Sequence, residues 1–100
     1  MSRKSPFLES IRQTMRLRGY ALKTEKSYLY WIRYYIRFNH KQHPSDMGRD
    51  EVIAFLNHLA NQRMVSPGTQ SIALNALAFL YNKILEQPIQ GLYFQRSSQP

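Results

Sequence analysis

The sequence predicts an all-α fold of four helices within a single domain. Apolar residues recur at three- and four-residue spacing in four separate stretches, a proline or glycine marks each boundary, and no stretch alternates as a strand would. One hundred residues suffice for one domain with a modest core. Because the chain has no cysteine, disulfides and thiolate metal sites are excluded, and a reducing cytoplasm is the expected compartment.

The first helix is predicted over residues 6–18. Ser5 can accept hydrogen bonds from the free N–H groups of a first turn, and Pro6 suits the first helical position because it has no N–H. Gly19 is expected to end the helix in a left-handed conformation. The apolar positions at helical spacing are Phe7, Leu8, Ile11 and Met15.

The second helix is predicted over residues 24–41, with Thr24 as its N-terminal cap. Pro44 closes this stretch, since the residue before a proline is pushed out of helical geometry. A helical wheel divides the helix into two arcs. The apolar arc, predicted to face the core, consists of Tyr28, Leu29, Trp31, Ile32, Tyr35, Ile36 and Phe38. The opposite arc consists of Lys23, Lys26, Arg33, Arg37 and Lys41, with Tyr30 and Tyr34 one turn apart among them.

The third helix is predicted over residues 49–62, because two acidic residues at its start meet the positive end of the helix dipole. The fourth is predicted over 67–86, after Ser66 and a proline repeat the start signal of the first helix. It is apolar around nearly its whole circumference, which is typical of a central helix. A helical domain is therefore predicted over 1–86, followed by a polar linker over 87–100.

Charge is distributed unevenly along the chain. Residues 1–41 hold ten Lys and Arg against two Glu, which accounts for the whole net charge of +8, whereas the four cations and four acids of residues 42–100 cancel. A segregated basic half with a pI near 10.1 predicts a polyanionic partner, with nucleic acid first and an acidic membrane surface second.

The tyrosines of the basic arc have two interpretations. Tyr30 and Tyr34 could donate hydrogen bonds to phosphate or lie against sugar and base, while the neighbouring cations displace counterions. Alternatively, they pack under Arg33, Arg37 or Lys41 in cation–π contacts that need no ligand.

The fourth helix carries one polar stripe of small, uncharged residues. The stripe consists of Ser71, Asn75, Ala78 and Asn82, with Thr69 and Gln70 in the first turn. First-turn N–H groups together with Thr69 and Gln70 could hold a phosphate. The other interpretation is a close approach by a helix of a partner protein.

Catalytic and metal-binding patterns are not found in the sequence. His40 and His43 are three residues apart, but no third ligand is nearby, so no metal site is expected. There is no glycine-rich phosphate loop, nucleophile elbow or closely spaced carboxylate pair. We therefore expect no catalytic residue, no cofactor and no small-molecule substrate in this segment. No apolar run approaches the roughly 18 residues of a membrane span.

Three stretches carry a resemblance to a known family. KTEKSYLYWIRYYIRF, HPSDMGRDEVIAFLNHLA and SPGTQSIALNALAFLYNKILEQP resemble the N-terminal core-binding domain of tyrosine recombinases, and most closely that of the integron integrases. The likeness runs from Phe7 to about Arg96. One departure is Gly48, which stands at a helix start where relatives often have a capping side chain.

The resemblance implies a four-helix SAM-like domain that forms one half of a C-shaped clamp on the DNA of recombination sites. In that family the second and fourth helices lie against DNA. The implied contacts are Thr24, Lys26 and Tyr30 on the second helix and Thr69, Gln70 and Asn75 on the fourth. The basic arc adds Lys23, Arg33, Tyr34 and Arg37, and Arg96 is expected on the interdomain linker.

The resemblance also implies that the catalytic residues of the family lie outside this segment. The family's tyrosine nucleophile and activating residues belong to a C-terminal catalytic domain, so none of the seven tyrosines here is given that role. The resemblance implies exchange of gene cassettes by a full-length enzyme that is tetrameric on DNA in the bacterial nucleoid, and the fragment is expected to be monomeric. The alternatives are a helical protein-interaction module with a basic solubility face and, last, a membrane-surface module.

Overall fold

The computed structural model describes residues 5–98, and this part of the chain is all-α with no strand. The α-helices are α1 (Pro6–Leu17), α2 (Leu22–Phe38), α3 (Arg49–Asn61) and α4 (Pro67–Phe79). A short 3₁₀ turn (Pro44–Asp46) precedes α3, and a π-helical turn (Leu80–Ile84) extends α4. The predicted four-helix fold is confirmed. Residues 1–4 and 99–100, the outer ends of the predicted domain and linker, lie outside the described residues.

The start of α1 is confirmed, whereas that of α2 differs from the prediction. Ser5 Oγ accepts a hydrogen bond from Leu8 N–H at 3.4 Å, and Gly19 has the expected left-handed φ of 77°. The α2 helix begins at Leu22, so Thr24 lies in its first turn and is not the cap. The physical reason is Tyr20, which is already anchored by packing of its ring against the α4 ring of Phe79 at 5.2 Å. The helix then starts almost directly after this anchor.

The end of α2 also differs, because the helix stops at Phe38 and not at residue 41. His40 takes a left-handed φ of 60°, and Lys41 N–H donates to the Ile36 carbonyl at 2.8 Å. This is the Schellman arrangement that usually uses glycine. Asn39 reinforces it, since its side-chain amide donates to the Tyr35 carbonyl at 2.9 Å. Lys41 is therefore exposed in the connection after α2.

The predicted starts of α3 and α4 are confirmed. Gly48 has no capping side chain, but its N–H donates to Glu51 Oε1 at 2.8 Å, which ties the turn to the first turn of α3. Ser66 Oγ accepts from Thr69 N–H at 3.1 Å at the start of α4. The expected end of α4 at residue 86 is corrected, because regular α-helix ends at Phe79 and the widened π turn follows.

The core lies around α4, which packs on α2 and α3. A buried hydroxyl pair links its far end to α2: the hydroxyls of Tyr35 and Tyr81 are 2.8 Å apart, and Tyr81 donates to the Pro44 carbonyl at 2.8 Å. The predicted core arc of α2 is confirmed, with Tyr35 fully buried and Trp31 9% exposed. The largest fully buried side chains are Tyr35, Tyr81, Phe55, Ile11, Met15, Ile32, Leu56, Leu59, Leu77, Leu80, Val52 and Pro44.

After residue 86 the described chain has neither helix nor strand, yet it does not detach from the helices. Ile89, Leu92 and Phe94 pack against the core. None of the helices within residues 5–98 has the length and apolar character needed to cross a bilayer.

Candidate nucleic-acid interface

The outward face of α2 carries only positive charge. Lys23, Lys26, Arg33 and Arg37 are all exposed on the side opposite the core arc. The helix contains a single acid, Glu25, and that residue is 3% exposed. A surface of this kind attracts a polyanion over the length of the helix.

The burial of Glu25 depends on α1. Arg16 Nε donates to Glu25 Oε1 at 2.9 Å, and Arg16 Nη2 lies 3.3 Å from Glu25 Oε2. The hydrogen bond and the charge of Glu25 raise the pKa of Arg16 above its usual value. The carboxylate is therefore compensated on the α1 side and does not offset the cations on the outward face.

The two tyrosines of the basic arc have different environments. Tyr30 is 56% exposed, with its ring edge-on to Trp31 at 4.9 Å. Tyr34 is half-buried, and its hydroxyl bonds to His58 Nε2 and accepts from Arg63 Nη1, both at 3.1 Å. The Arg63 guanidinium also lies over the Tyr34 ring at 5.7 Å. The cation–π contact considered for Tyr34 thus comes from Arg63 and not from α2.

Arg63 is part of this basic surface although the sequence alone does not indicate it. It lies just beyond α3, in the half of the chain whose charges cancel, and no periodic pattern marks it. The fold places Arg63 opposite α2, where its side chain forms one wall of an open groove of about 410 Å³. The lining residues of this groove are Tyr30, Arg33, Tyr34, Arg37, Phe38 and Arg63. Three guanidinium groups on an aromatic floor suit phosphate, which arginine binds with two parallel hydrogen bonds.

The N-terminal half of α4 contributes a second, uncharged surface. Thr69 lies in the first turn, where its Oγ1 accepts from Ser66 Oγ at 3.0 Å. Ser71 and Asn75 are exposed one and two turns into the helix, and Ile72 between them is 43% exposed. Asn75 therefore remains available on this side of α4, and Thr69 is partly exposed in the first turn.

Gln70 does not belong to this surface, which corrects its placement on the polar stripe. Its side chain is 2% exposed, because it lies three and seven residues before the buried Ala73 and Leu77. Its amide nitrogen donates to the carbonyls of Leu56 and Gln95, at 3.1 and 2.8 Å. We therefore leave Gln70 out of the candidate interface.

Arg96 lies on the segment after α4. It is exposed, and its guanidinium stacks over the Phe94 ring at 4.8 Å. Phe94 is itself packed on the core, so the cation is held close to the helical body.

Two of the histidines, His43 and His58, have local structural partners, and that of His58 is the Tyr34 hydroxyl. His43 Nδ1 accepts from Ser45 N–H at 3.1 Å, and its ring lies 4.6 Å from that of Phe7. Residues 5–98 contain no group of three or more His, Cys, Asp or Glu side chains placed to hold a metal ion.

Four helices with one basic flank define an all-α module suited to a polyanionic partner. The chain belongs to the phage integrase N-terminal SAM-like domain family, which residues 7–91 match. An integrase/recombinase of Escherichia coli and one of Pseudomonas aeruginosa are each 46% identical over 78 residues, or 78% of this chain and 23% of theirs. A putative integrase/recombinase of Sinorhizobium fredii is 29% identical over 83 residues, which is 27% of its length. The chain thus spans about a quarter of these curated relatives.

Proposed function

We propose that this chain is a DNA-binding module of a tyrosine-type site-specific recombinase and that it holds duplex DNA against α2. The observation that carries the proposal is the outward face of α2, which bears cations alone because Glu25 is buried against Arg16. Membership in a phage integrase domain family supports the same function.

Binding is mainly electrostatic. From Lys23 to Arg37 the helix extends about 21 Å, which is comparable to the rise of about six phosphates of one strand along the duplex axis. The cations offered to the backbone are Lys23, Lys26, Arg33, Arg37 and Arg63. Thr24 and Tyr30 on α2 and Thr69 and Asn75 on α4 add polar contacts, and Arg96 extends the basic surface along the exiting chain. Such contacts set position and orientation more than sequence preference.

The finer parts of the proposal concern the whole protein. Relatives named integrase/recombinase support a recombinase whose catalytic residues lie outside these 100 residues. The likeness of TQSIALNALAFLY and FLNHLA to integron integrases supports exchange of gene cassettes by an enzyme that is tetrameric on DNA, in the nucleoid of a bacterium. The 100-residue chain by itself is monomeric in this proposal.

Titration of a labelled recombination-site duplex at several salt concentrations tests the proposal. Five phosphate contacts give a slope of about −4.5 in log affinity against log salt, so raising salt from 50 to 200 mM weakens binding by about 500-fold. Absence of binding at low salt, or binding that is indifferent to salt, would contradict the proposal.

A second candidate function is docking of a partner helix on α4. The observation that favours it is Ile72, which is 43% exposed between the small residues Ser71 and Asn75. The substitution Ile72→Ser separates the two functions, because it removes the apolar contact and leaves every cation of α2 in place. Unchanged DNA affinity in this variant favours the DNA-binding function, whereas loss of a partner protein from pull-down favours docking.

A further inference from the structure

The chain beyond the π turn is held in a defined path across the helical body. Leu92 and Phe94 pack inward, while Tyr93 between them is 86% exposed. Ser97 is again buried, at 7% exposure. Inward and outward positions thus alternate through residues 92–94, after a tight turn in which Tyr93 N–H donates to the Gly91 carbonyl at 3.1 Å.

Backbone groups of this segment bond to side-chain amides of two helices. Gln95 N–H donates to Asn57 Oδ1 of α3 at 2.6 Å. The Gln95 carbonyl accepts from Gln70 Nε2 at 2.8 Å, and Ser97 N–H donates to Gln70 Oε1 at 2.9 Å. The two side chains therefore take the role that a neighbouring strand has in a sheet.

Gln70 is the centre of this arrangement. Its second N–H donates to the Leu56 carbonyl, so one buried amide joins α3, α4 and the exiting chain. Ser97 Oγ adds a hydrogen bond to the Val65 carbonyl in the connection between α3 and α4. An apolar side chain at this position would fill the space between the helices. A side-chain amide also provides the donor for the Gln95 carbonyl and the acceptor for the Ser97 N–H.

We propose that Gln70 is a positioning residue that fixes the direction in which the chain leaves the helical body. The consequence rests on the proposed function. Gln70 directly follows Thr69 of the candidate interface, so the path of residues 95–97 is fixed relative to the part of α4 that faces DNA. The fixed path would then orient a domain joined after this segment relative to the bound duplex, even if that domain makes no contact with α4.

Amide hydrogen exchange in the 100-residue chain, measured by NMR without DNA, tests this role. Gln70→Met removes the amide at nearly constant volume. We expect the Ser97 amide to lose protection on the order of tenfold or more, while the amide of Leu77 in α4 changes far less, because opening of the segment is local. Equal loss at Ser97 and Leu77, or unchanged exchange at Ser97, would overturn the proposal.

Two milder variants keep the test decisive if Gln70→Met does not fold. Asn57→Ala removes the partner of Gln95 N–H, and Ser97→Ala removes the bond to Val65. Because Gln70 keeps its bonds to the backbone of Gln95 and Ser97 in both variants, exchange at residue 97 is expected to stay within about twofold of the parent. The control Gln90→Met, at an exposed position of the same segment, is also expected to leave it unchanged. Loss of protection at residue 97 by about tenfold or more in Asn57→Ala would show that Gln70 does not hold the segment, and it would overturn the proposal.

Duplex titration separates this inference from the proposed function. Because the Gln70 amide is buried, Gln70→Met is expected to keep DNA affinity within about twofold of the parent. A tenfold weakening in a folded variant would make Gln70 a DNA contact and overturn the positioning role. Failure of the parent to bind DNA would overturn the proposed function, and the exchange measurement would still decide the role of Gln70.

Discussion

Arg16 of α1 holds the only carboxylate of α2, that of Glu25, at 2.9 Å from its Nε. Glu25 keeps 4% of its side chain exposed, whereas the Arg16 side chain is 55% exposed. The pair therefore docks α1 on the first turn of α2 and keeps negative charge away from the outward face. The same ion pair thus contributes both to the packing of α1 on α2 and to the positive charge of the outward face of α2.

The first prediction compares two arginines of α1. Arg16→Ala should lower the melting temperature clearly more than Arg12→Ala, because it leaves a buried carboxylate uncompensated. Arg12 instead pairs with Glu9, which is 32% exposed and can be hydrated. Thermal denaturation of both variants measures the difference, and Glu25→Gln added to Arg16→Ala should recover stability. Equal melting of the two single variants would contradict this role of the pair.

The second prediction concerns two exposed cations of α2. Lys26→Ala combined with Arg33→Ala should reduce the salt slope of DNA binding by about 1.8, because two phosphate contacts are lost. Stability should stay within about 0.5 kcal/mol, as for most surface substitutions. The matched control is Arg49→Ala with Lys83→Ala, which removes the same charge from exposed positions outside α2. If the control weakens binding equally, net charge and not the α2 face governs affinity.

Neighbouring aromatics of α2 give the third prediction. Trp31→Ala should destabilise the fold by about 3–5 kcal/mol, since it empties a core position. Tyr30→Ala should leave stability nearly unchanged, because this ring is 56% exposed, and should weaken DNA binding. Chemical denaturation and duplex titration of both variants provide the comparison. Similar losses of stability in the two variants would show that the faces of α2 are assigned wrongly.

The fourth prediction concerns the buried tyrosine pair. Tyr81→Phe should cost about 1–3 kcal/mol, because it leaves both the Pro44 carbonyl and the Tyr35 hydroxyl without a partner. Tyr35→Phe removes only the hydroxyl that donates to Tyr81 and leaves the bond from Tyr81 to Pro44 in place, so its loss of stability should be smaller. Urea denaturation at neutral pH measures the free energy of unfolding of both variants, and a larger loss in Tyr35→Phe would contradict donation by Tyr81 to the Pro44 carbonyl.

The buried pair of Tyr35 and Tyr81 is also expected to make the fold less stable at alkaline pH. Burial raises the pKa of Tyr35 and that of Tyr81 above the ordinary value of 10.0. Above pH 10 the unfolded chain releases these protons while the folded chain retains them, so stability present below that pH is lost as pH rises. Tyr35→Phe should make the loss of stability above pH 10 shallower, and an unchanged pH profile would argue against its burial.

Much of the fold was predictable because its signals are local. Ser5 and Ser66 cap α1 and α4 as their sequences predict, and the apolar arc around Trp31 and Tyr35 follows from periodicity. Helix ends were less predictable. The Schellman motif at His40 uses no glycine, so the sequence carries no mark of it. Thr24 has the residue type of a cap, but Tyr20 anchors the chain before it and α2 begins at Leu22.

The candidate site shows the same division. The basic arc of α2 was found from the wheel, because exposure there follows from helical phase. Arg63 joins it only through tertiary packing, which no spacing records. Gln70 is polar, but its helical phase aligns it with the buried Ala73 and Leu77, and this phase decides its position. Its amide is needed inside the fold, to pair with the backbone of the exiting chain.

A heteronuclear NMR titration of the labelled chain with a recombination-site duplex tests the central claim most directly. If the outward face of α2 binds DNA, the largest shift changes will fall on residues 23–37 and at Arg63, with smaller changes at Thr69 and Asn75. Changes confined to other surfaces, or none at low salt, would contradict it.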